Sequence, residues 1–238
     1  MTERKTALVT GANKGIGFEV AAQLGELGFR VGVGARDAAR GTQAVERLLA
    51  AGVDAFAVAL DVADDESVRA AAAGWTGGLD VLVNNAGISG GAQDPASRTS
   101  PDQLRAVLDT NVVGVLRVTN AFLPLLRRSD APRIVNVSSS MGSLTLQHGE
   151  SAGSGPVGGA YGPSKSLLNA LTLQYARELR DSDVLVNAVC PGYTATDFTG
   201  HAGDRTPAQG ARIVVELATV GDDGPRGGFF DENGVLPW

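Results

Sequence analysis

Strand-like and helix-like segments alternate along this chain from end to end, and no other feature restricts its fold as strongly. Short apolar runs predict strands at 6–10, 30–35, 55–60, 79–83, 133–137 and 184–189. Apolar residues at helical spacing predict helices at 18–27, 38–51, 64–73, 101–109, 112–128, 161–180 and 207–219. The alternation predicts one doubly wound parallel α/β sheet with helices on both faces and ligands at the carboxyl ends of the strands. A final edge strand at 229–230 and a folded-back tail at 231–238 complete the prediction.

The first predicted strand ends in a glycine turn, Gly11-Ala12-Asn13-Lys14-Gly15-Ile16-Gly17, which leads directly into a helix. In this geometry the N-terminus of a helix receives a phosphate. Gly11 permits a tight turn, Gly15 lets the backbone approach a pyrophosphate, and Gly17 lets helix and strand pack closely. No Gly-Lys-Ser/Thr sequence follows, which excludes a Walker P-loop. We predict that the cofactor-binding residues of this turn are Gly11, Asn13, Lys14, Gly15, Ile16 and Gly17.

The end of the second strand is where the adenosine ribose of a dinucleotide would lie, so its residues bear on the choice between NAD and NADP. Arg36 stands at this strand end, Arg40 follows one helical turn later, and Lys14 lies in the glycine turn. Three cations at one predicted corner favour NADP(H), whose 2′-phosphate needs them. Asp37 is a counter-signal, because a carboxylate here can bind the 2′-hydroxyl of NAD, but it also suits a helix cap.

Further candidate ligands follow the other strands. The fourth strand ends in Asn84-Asn85-Ala86-Gly87, whose small residues leave room for a flat ligand. The Asn84 amide suits two roles, contact with that ligand or a tie between neighbouring strands. Because the carboxyl ends of parallel strands meet at one edge, all such residues are expected to lie close together. The additional cofactor-binding residues predicted at strand ends are Asp61, Val62, Asn84, Ala86, Gly87, Pro191 and Gly192.

Tyr161 and Lys165 predict an acid–base site. They are four residues apart at the start of a helix and therefore share one face. A phenol ordinarily loses its proton near pH 10, and a nearby ammonium favours the phenolate, so Tyr161 is expected to exchange protons near neutral pH. Ser139 follows the fifth strand and is suited to hold a substrate oxygen against the phenol. Solvated helix faces produce the same Tyr-x-x-x-Lys pattern by chance, so the prediction depends on the other strand-end residues.

Two segments and one residue between elements are candidates for function. The glycine-rich segment 141–159 is predicted to be an inserted loop, and 193–206 a substrate loop, since loops this long are usually functional or mobile. Asn111 lies between two predicted helices. Asn is a mediocre helix former, so it indicates a kink, a cap or a function.

Composition excludes several classes of protein. The 238 residues are 43% hydrophobic and 19% charged, as in an ordinary globular protein, and we predict a single domain over 1–238. The net charge of −6 argues against a nucleic-acid or anionic-membrane surface. With Cys190 as the lone cysteine and two isolated histidines, His148 and His201, no disulfide and no metal site are expected. No signal peptide or membrane span is predicted, which favours a cytoplasmic protein.

Together these residues resemble the short-chain dehydrogenase/reductase family, whose fold is Rossmann-like. The likeness spans nearly the whole chain and rests on Thr10-Gly-x-x-x-Gly15-x-Gly17, Asn84-Asn85-Ala86-Gly87, Asn111, Ser139, Tyr161-x-x-x-Lys165 and Pro191-Gly192. Within the family, the glycine turn, Ala35-Arg36-Asp37 and Cys190-Pro191-Gly192 with Thr196-Asp197 are most similar to the NADPH-dependent carbonyl reductase branch.

The resemblance implies hydride transfer from a nicotinamide to a carbonyl carbon, without a metal. Tyr161 would be the proton donor, and Lys165 both a ribose ligand and the charge that lowers the pKa of the phenol. Ser139, as the second Ser of Asn-Val-Ser-Ser, would orient the carbonyl oxygen, and Asn111 would hold a water that relays protons. The resemblance adds four residues to the cofactor-binding set: Tyr161, Lys165, Thr194 and Thr196.

Two departures from the family pattern bear on these expectations. Ser139 and Tyr161 are 22 positions apart, about nine more than in the simplest members. Longer insertions here accompany monomeric carbonyl reductases, so whether this chain is a monomer or a homo-oligomer stays open. Thr194 replaces an aliphatic residue beside the nicotinamide amide, a change that a backbone contact would survive.

Three functions remain to be separated. The first is NADPH-dependent reduction of a small-molecule carbonyl compound. The second is NAD-dependent oxidation of a secondary alcohol, and the third is a regulator that binds NADPH without turnover. The presence of Asn111, Ser139, Tyr161 and Lys165 together argues against the regulator, which has no need of an acid. The substrate itself is not predicted.

Overall fold

The computed structural model describes residues 4–91, 94–148 and 158–238, and its strands form one eight-stranded sheet. The strands are β1 (Thr6–Thr10), β2 (Arg30–Ala35), β3 (Ala55–Ala59), β4 (Val81–Asn84), β5 (Arg133–Val137), β6 (Leu185–Val189), β7 (Phe229–Asp231) and β8 (Gly234–Val235). Their order across the sheet is β3-β2-β1-β4-β5-β6-β7-β8. The first seven are paired in parallel and β8 is antiparallel to β7. The prediction of a doubly wound parallel sheet is confirmed.

Helices cover both faces of this sheet. They are α1 (Gly15–Glu26), α2 (Ala38–Ala50), α3 (Asp65–Ala73), α4 (Pro101–Leu108), α5 (Gly114–Leu126), α6 (Leu144–His148), α7 (Tyr161–Glu178) and α8 (Pro207–Ala218). One core cluster joins the sheet to α1, α2 and α8, and a second joins it to α3, α5 and α7. In β1, Val9 packs in the first cluster and Leu8 in the second, because successive strand residues point to opposite faces. Burial on both faces explains why the strands are nearly continuous apolar runs.

A π turn at Asp109–Val113 joins α4 to α5, so the two helices predicted at 101–109 and 112–128 form one continuous helical run. This run, Pro101–Leu126, is long and apolar enough to cross a membrane by length and composition. It packs on α3 and β4, and Phe122 within it is fully buried. In this fold it is therefore a core helix.

Two predictions, one about the last strand and one about a long loop, need correction. The strand predicted at 229–230 is not the edge of the sheet, because the chain turns back after it and β8 pairs outside β7. The tail does return over the body, with the Trp238 ring stacked on Phe229 at 5.5 Å. The loop prediction for 141–159 is wrong at Leu144–His148, which is helical. Residues 149–157 of that predicted loop lie outside the described residues.

Candidate active site

The strand order reverses between β1 and β4, and a cavity of about 1250 Å³ opens beside the carboxyl ends of the strands. This is where doubly wound sheets bind ligands. The predicted site residues that line the cavity are Gly11, Asn13, Lys14, Gly15, Ile16, Gly17, Arg36, Arg40, Asp61, Val62, Ala86, Gly87, Ser139, Tyr161, Lys165, Pro191, Gly192, Thr194 and Thr196. The structure thus brings together residues from the whole length of the sequence.

The glycine turn after β1 forms a cradle that a side chain would fill. Gly11 and Gly15 both have left-handed backbone conformations, with φ of 63° and 59°. A Cβ atom on Gly17 would lie 2.4 Å from Asn85 Nδ2 and 2.7 Å from the Gly11 carbonyl oxygen. Asn85 holds the turn by donating to the carbonyl oxygen of Thr10 at 2.9 Å. The exposed backbone and the N-terminus of α1 fit a pyrophosphate.

Asn84 takes the structural role that the sequence left open. Its side chain is buried, and Nδ2 donates to Thr119 Oγ1 at 3.1 Å and to Asn136 Oδ1 at 2.9 Å. It does not line the cavity, so its prediction as a cofactor ligand is wrong for the side chain. The neighbouring Asn85 lines the cavity and was not among the predicted site residues.

We call the carboxyl end of β2, where the adenosine ribose of a dinucleotide would lie, the adenosine corner. The three predicted cations, Lys14, Arg36 and Arg40, line the cavity and differ in their ion-pair partners. Asp37 caps α2 by accepting the Arg40 backbone N–H at 3.1 Å, and its carboxylate lies 3.5 Å from Arg40 Nε. Lys14 Nζ lies 2.6 Å from a carboxylate oxygen of Asp197. Arg36 is exposed at the cavity and has no ion-pair partner among the described residues. The corner therefore offers an unpaired guanidinium to an anion, as a 2′-phosphate requires.

Ser139, Tyr161 and Lys165 line the cavity together, and Ser139 is hydrogen-bonded to Tyr161. Ser139 follows β5 and its hydroxyl accepts the Met141 N–H at 3.2 Å. Lys165 is buried, and its Nζ donates to the Val137 carbonyl oxygen at 2.7 Å and lies 5.6 Å from the centroid of the Tyr161 ring. The Phe198 ring packs on Tyr161 with centroids 5.3 Å apart.

Burial controls both titrations at this centre. Burial raises the pKa of Tyr161 above its ordinary value, and the hydrogen bond with Ser139 only partly offsets it. Burial lowers the pKa of Lys165 to about 8. The expectation that Lys165 brings the pKa of Tyr161 toward neutral is wrong for the protein alone. Tyr161 therefore keeps its proton at neutral pH, which is the state of a proton donor.

Asn111 lies behind the cavity wall and not on it. It is buried in the π turn, where Nδ2 donates to the Ile88 carbonyl oxygen at 2.9 Å and to Ser164 Oγ at 3.0 Å. Its Oδ1 accepts the Ile88 N–H at 2.8 Å. The amide is thus committed to protein partners. The water-holding role of Asn111 stays a prediction, and π turns are often found at functional sites.

The predicted substrate loop folds as a compact flap beside Tyr161. Thr194 and Arg205 form a β-bridge across its base. The Thr194 hydroxyl donates to the Gly192 carbonyl oxygen at 3.2 Å, so its side chain is already engaged by the protein. A short turn at Asp197–Thr199 carries Phe198. The Lys14 ammonium lowers the pKa of Asp197, and His201 Nε2 lies 2.9 Å from the same carboxylate.

Several cavity-lining side chains were not predicted individually as site residues, although three of them lie in the predicted loops 141–159 and 193–206. They are Asn85, Ile88, Met141, Cys190, Tyr193 and Phe198. The available signal in the sequence was the presence of large apolar residues, Tyr193 and Phe198, in a predicted loop; the structure leaves them 51% and 44% exposed.

Comparison with known proteins agrees with this geometry. A family model described as short chain dehydrogenase matches residues 5–206. The chain is 34% identical to salutaridine reductase of Papaver bracteatum, with 97% of this chain and 95% of that protein covered. It is also 34% identical to carbonyl reductase [NADPH] 1 of Rattus norvegicus, with 100% and 99% covered. The chain belongs to the short-chain dehydrogenase family and is related to its carbonyl reductases.

A solved structure gives the same result at the level of the fold. NADPH-bound carbonyl reductase from chicken fatty liver superposes with a TM-score of 0.82 at 27% identity, covering 99% of this chain and 100% of that chain. The alignment with the rat protein runs over 282 positions, against the 238 residues of this chain. That relative therefore carries segments that this chain lacks.

Proposed function

We propose that this chain is an NADPH-dependent reductase that converts a ketone or aldehyde into an alcohol, with Tyr161 as the general acid. The observation that carries the proposal is the meeting of Ser139, Tyr161 and Lys165 in one cavity with a phenol that keeps its proton. A proton donor beside a site for a carbonyl oxygen is what carbonyl reduction requires. The NADPH-dependent relatives support the same cofactor.

The residues present fit NADP(H). The glycine turn would hold the pyrophosphate, Arg36 and Lys14 would bind the 2′-phosphate, and Lys165 would bind the ribose. When bound, the nicotinamide supplies the hydride that the carbonyl carbon receives. The chain's own groups do the rest: Ser139 would orient the carbonyl oxygen, and Tyr161 would deliver its proton as charge develops on that oxygen.

The upward shift in the pKa of Tyr161 favours reduction of a carbonyl compound over oxidation of an alcohol. Alcohol oxidation needs a phenolate to accept a proton, whereas carbonyl reduction needs a neutral phenol to donate one. A phenol of ordinary pKa is already neutral at physiological pH, and burial moves the pKa of Tyr161 further in that direction. NAD-dependent oxidation of an alcohol is therefore the second candidate function. Asp37 does not support binding of NAD, because the Asp37 carboxylate already caps α2 and pairs with Arg40.

The surroundings of Tyr161 favour a neutral, apolar carbonyl compound. Phe198 packs on its ring, and Ile88 and Tyr193 line the same cavity. Apart from Lys165, the described cations that line the cavity belong to the adenosine corner or are paired with Asp197. The sequence of 92–93 and 149–157 adds no Lys or Arg. A substrate carboxylate would therefore be desolvated without a counter-charge.

The test is NADPH oxidation with matched carbonyl substrates, with NADH run beside it. Methyl para-acetylbenzoate and para-acetylbenzoate share one ketone and differ in a remote charge. We expect NADPH-dependent turnover, with kcat/KM at least about tenfold higher for the ester, equivalent to about 1.4 kcal/mol. A higher kcat/KM for para-acetylbenzoate than for its methyl ester would contradict the proposed substrate class. A higher kcat/KM with NADH than with NADPH would contradict the proposed cofactor. NADPH binding without turnover of any carbonyl would favour the non-catalytic regulator. A cytoplasmic location and a single-domain organisation remain part of the proposal.

A further inference from the structure

Ser164 lies between Tyr161 and Lys165 in sequence, and its hydroxyl joins two groups of the site. The residue is fully buried. Its Oγ donates to the main-chain carbonyl oxygen of Tyr161 at 2.7 Å and accepts from Asn111 Nδ2 at 3.0 Å. One hydroxyl thus connects the first turn of α7, which carries the proton donor, to the π turn.

The connection continues from Asn111 to the cavity wall. The amide of Asn111 makes two hydrogen bonds with the main chain of Ile88, which lines the cavity. A Cβ atom on the preceding Gly87 would lie 3.3 Å from Asn111 Oδ1 and 3.8 Å from Lys165 Nζ. The wall after β4, the π turn and the start of α7 are therefore packed around one short chain of hydrogen bonds.

We propose that Ser164 is a positioning residue for the reaction, because it fixes Asn111 and the first turn of α7 relative to each other. This inference rests on the proposed function. Asn111 Nδ2 has two N–H groups and both are used. Without the Ser164 oxygen one buried donor is left unpaired, which costs more than the hydrogen bond itself contributes. The Asn111 amide and the π turn then shift. The position of Ile88 in the cavity wall and the orientation of the Tyr161 phenol change with them.

The simpler interpretation is that Ser164 only bonds back to its own helix, as buried Ser residues often do. Ser166 provides the matched control for this interpretation. It lies on the same helix, is partly buried, and its Oγ donates to the Gly162 carbonyl oxygen at 3.3 Å. No bond from its hydroxyl to Asn111 occurs in the described chain, so Ser166→Ala removes the local helix bond alone.

The experiment compares Ser164→Ala with Ser166→Ala, using kcat for a neutral ketone per NADPH-binding site, counted by fluorescence titration. Counting sites removes the effect of any misfolded fraction. We expect Ser164→Ala to lose about tenfold or more in kcat, since small misplacements of reacting groups are costly. KM for the ketone should stay within about twofold, as should kcat of Ser166→Ala. Equal kcat in the two variants, or a loss confined to KM, would overturn the proposal.

Two further variants separate positioning from packing. In an Asn111→Leu background, Ser164→Ala should cost less than about twofold, because the residue acts through Asn111. A full tenfold loss in that background would overturn the proposal. Ser164→Thr keeps the hydroxyl and should retain activity within about threefold; a loss equal to that of Ala would assign the effect to packing. Failure of the wild-type protein to reduce any carbonyl would overturn the proposed function as well, whereas the other contrary outcomes overturn this inference alone.

Discussion

The ammonium of Lys165 donates a hydrogen bond to the main-chain carbonyl oxygen of Val137 at 2.7 Å. Val137 is the last residue of β5, and Ser139 follows it two residues later. Lys165 lies one helical turn from Tyr161 on α7. This bond therefore ties the helix that carries Tyr161 to the strand that Ser139 follows. Burial of the ammonium in this position also makes its charge sensitive to pH.

The first prediction concerns that charge. Burial lowers the pKa of Lys165 from 10.5 to about 8, so the ammonium loses its proton as pH rises through about 8. Since kcat/KM for NADPH reports groups of the free enzyme, it should fall above about pH 8. Tyr161 adds no second limb in this range because burial raises its pKa. A steady-state pH profile measures the effect.

The control for this profile is Cys190→Ala, because the Cys190 thiol lines the same cavity. The falling limb should persist in that variant. Disappearance of the limb on removal of Cys190, or a flat profile between about pH 7 and about pH 10 in the wild-type protein, would contradict the assignment to Lys165.

The second prediction concerns Arg36. Its guanidinium lines the cavity without an ion-pair partner among the described residues, so it is available to the 2′-phosphate. Arg36→Ala should weaken NADPH binding by about tenfold or more and leave NADH binding within about twofold, since bonds to charged groups contribute about 1.5–3 kcal/mol. Isothermal titration with both cofactors checks this. Equal losses of affinity for NADPH and NADH would mean that Arg36 supports the fold and does not bind the 2′-phosphate.

The third prediction concerns the pair formed by Lys14 and Asp197, whose charged atoms lie 2.6 Å apart. Asp197 belongs to the predicted substrate loop and Lys14 to the glycine turn, so Asp197 and a bound 2′-phosphate would compete for one ammonium. Asp197→Asn should therefore tighten binding of 2′,5′-ADP by about two- to fivefold, and less at high salt. In a Lys14→Met background the same substitution should have no effect. An equal gain in both backgrounds would indicate general charge repulsion in place of competition for Lys14.

The fourth prediction concerns the glycine cradle. A Cβ atom on Gly17 would lie 2.4 Å from Asn85 Nδ2, so Gly17→Ala displaces the side chain that holds the turn. We expect a stability loss of about 1–3 kcal/mol, as for other overpacked sites, together with loss of NADPH binding. Gly78→Ala is the control, because a Cβ atom there meets no atom within 4 Å. Wild-type binding in Gly17→Ala would contradict the proposed phosphate site.

The features that follow from local patterns could be predicted from the sequence. β1, β2 and β5 have the predicted bounds, because each is a short apolar run that ends at a turn. The strand-end residues meet because parallel strands place their carboxyl ends on one edge. That rule alone brings Gly11, Arg36 and Ser139 to one cavity from distant parts of the sequence.

The features that depend on tertiary packing could not be predicted. Asn84 and Asn85 are adjacent amides, and only the strand pleat decides that the first faces the core and the second faces the glycine turn. The pKa of Tyr161 was expected to fall because Lys165 is near in sequence, whereas the depth of burial reverses the direction. The bond of Ser164 to Asn111 spans 53 residues and leaves no local signal.

The most direct test of the account is the effect of Tyr161→Phe on reduction of a neutral ketone by NADPH, measured together with the Kd of NADPH. Removal of the phenol hydroxyl takes away the proposed proton donor and leaves the ring that packs on Phe198. We predict a loss of about a hundredfold or more in kcat, the range of general acid catalysis, with Kd unchanged within about threefold. A Phe variant that turns over at the wild-type rate would contradict the central claim.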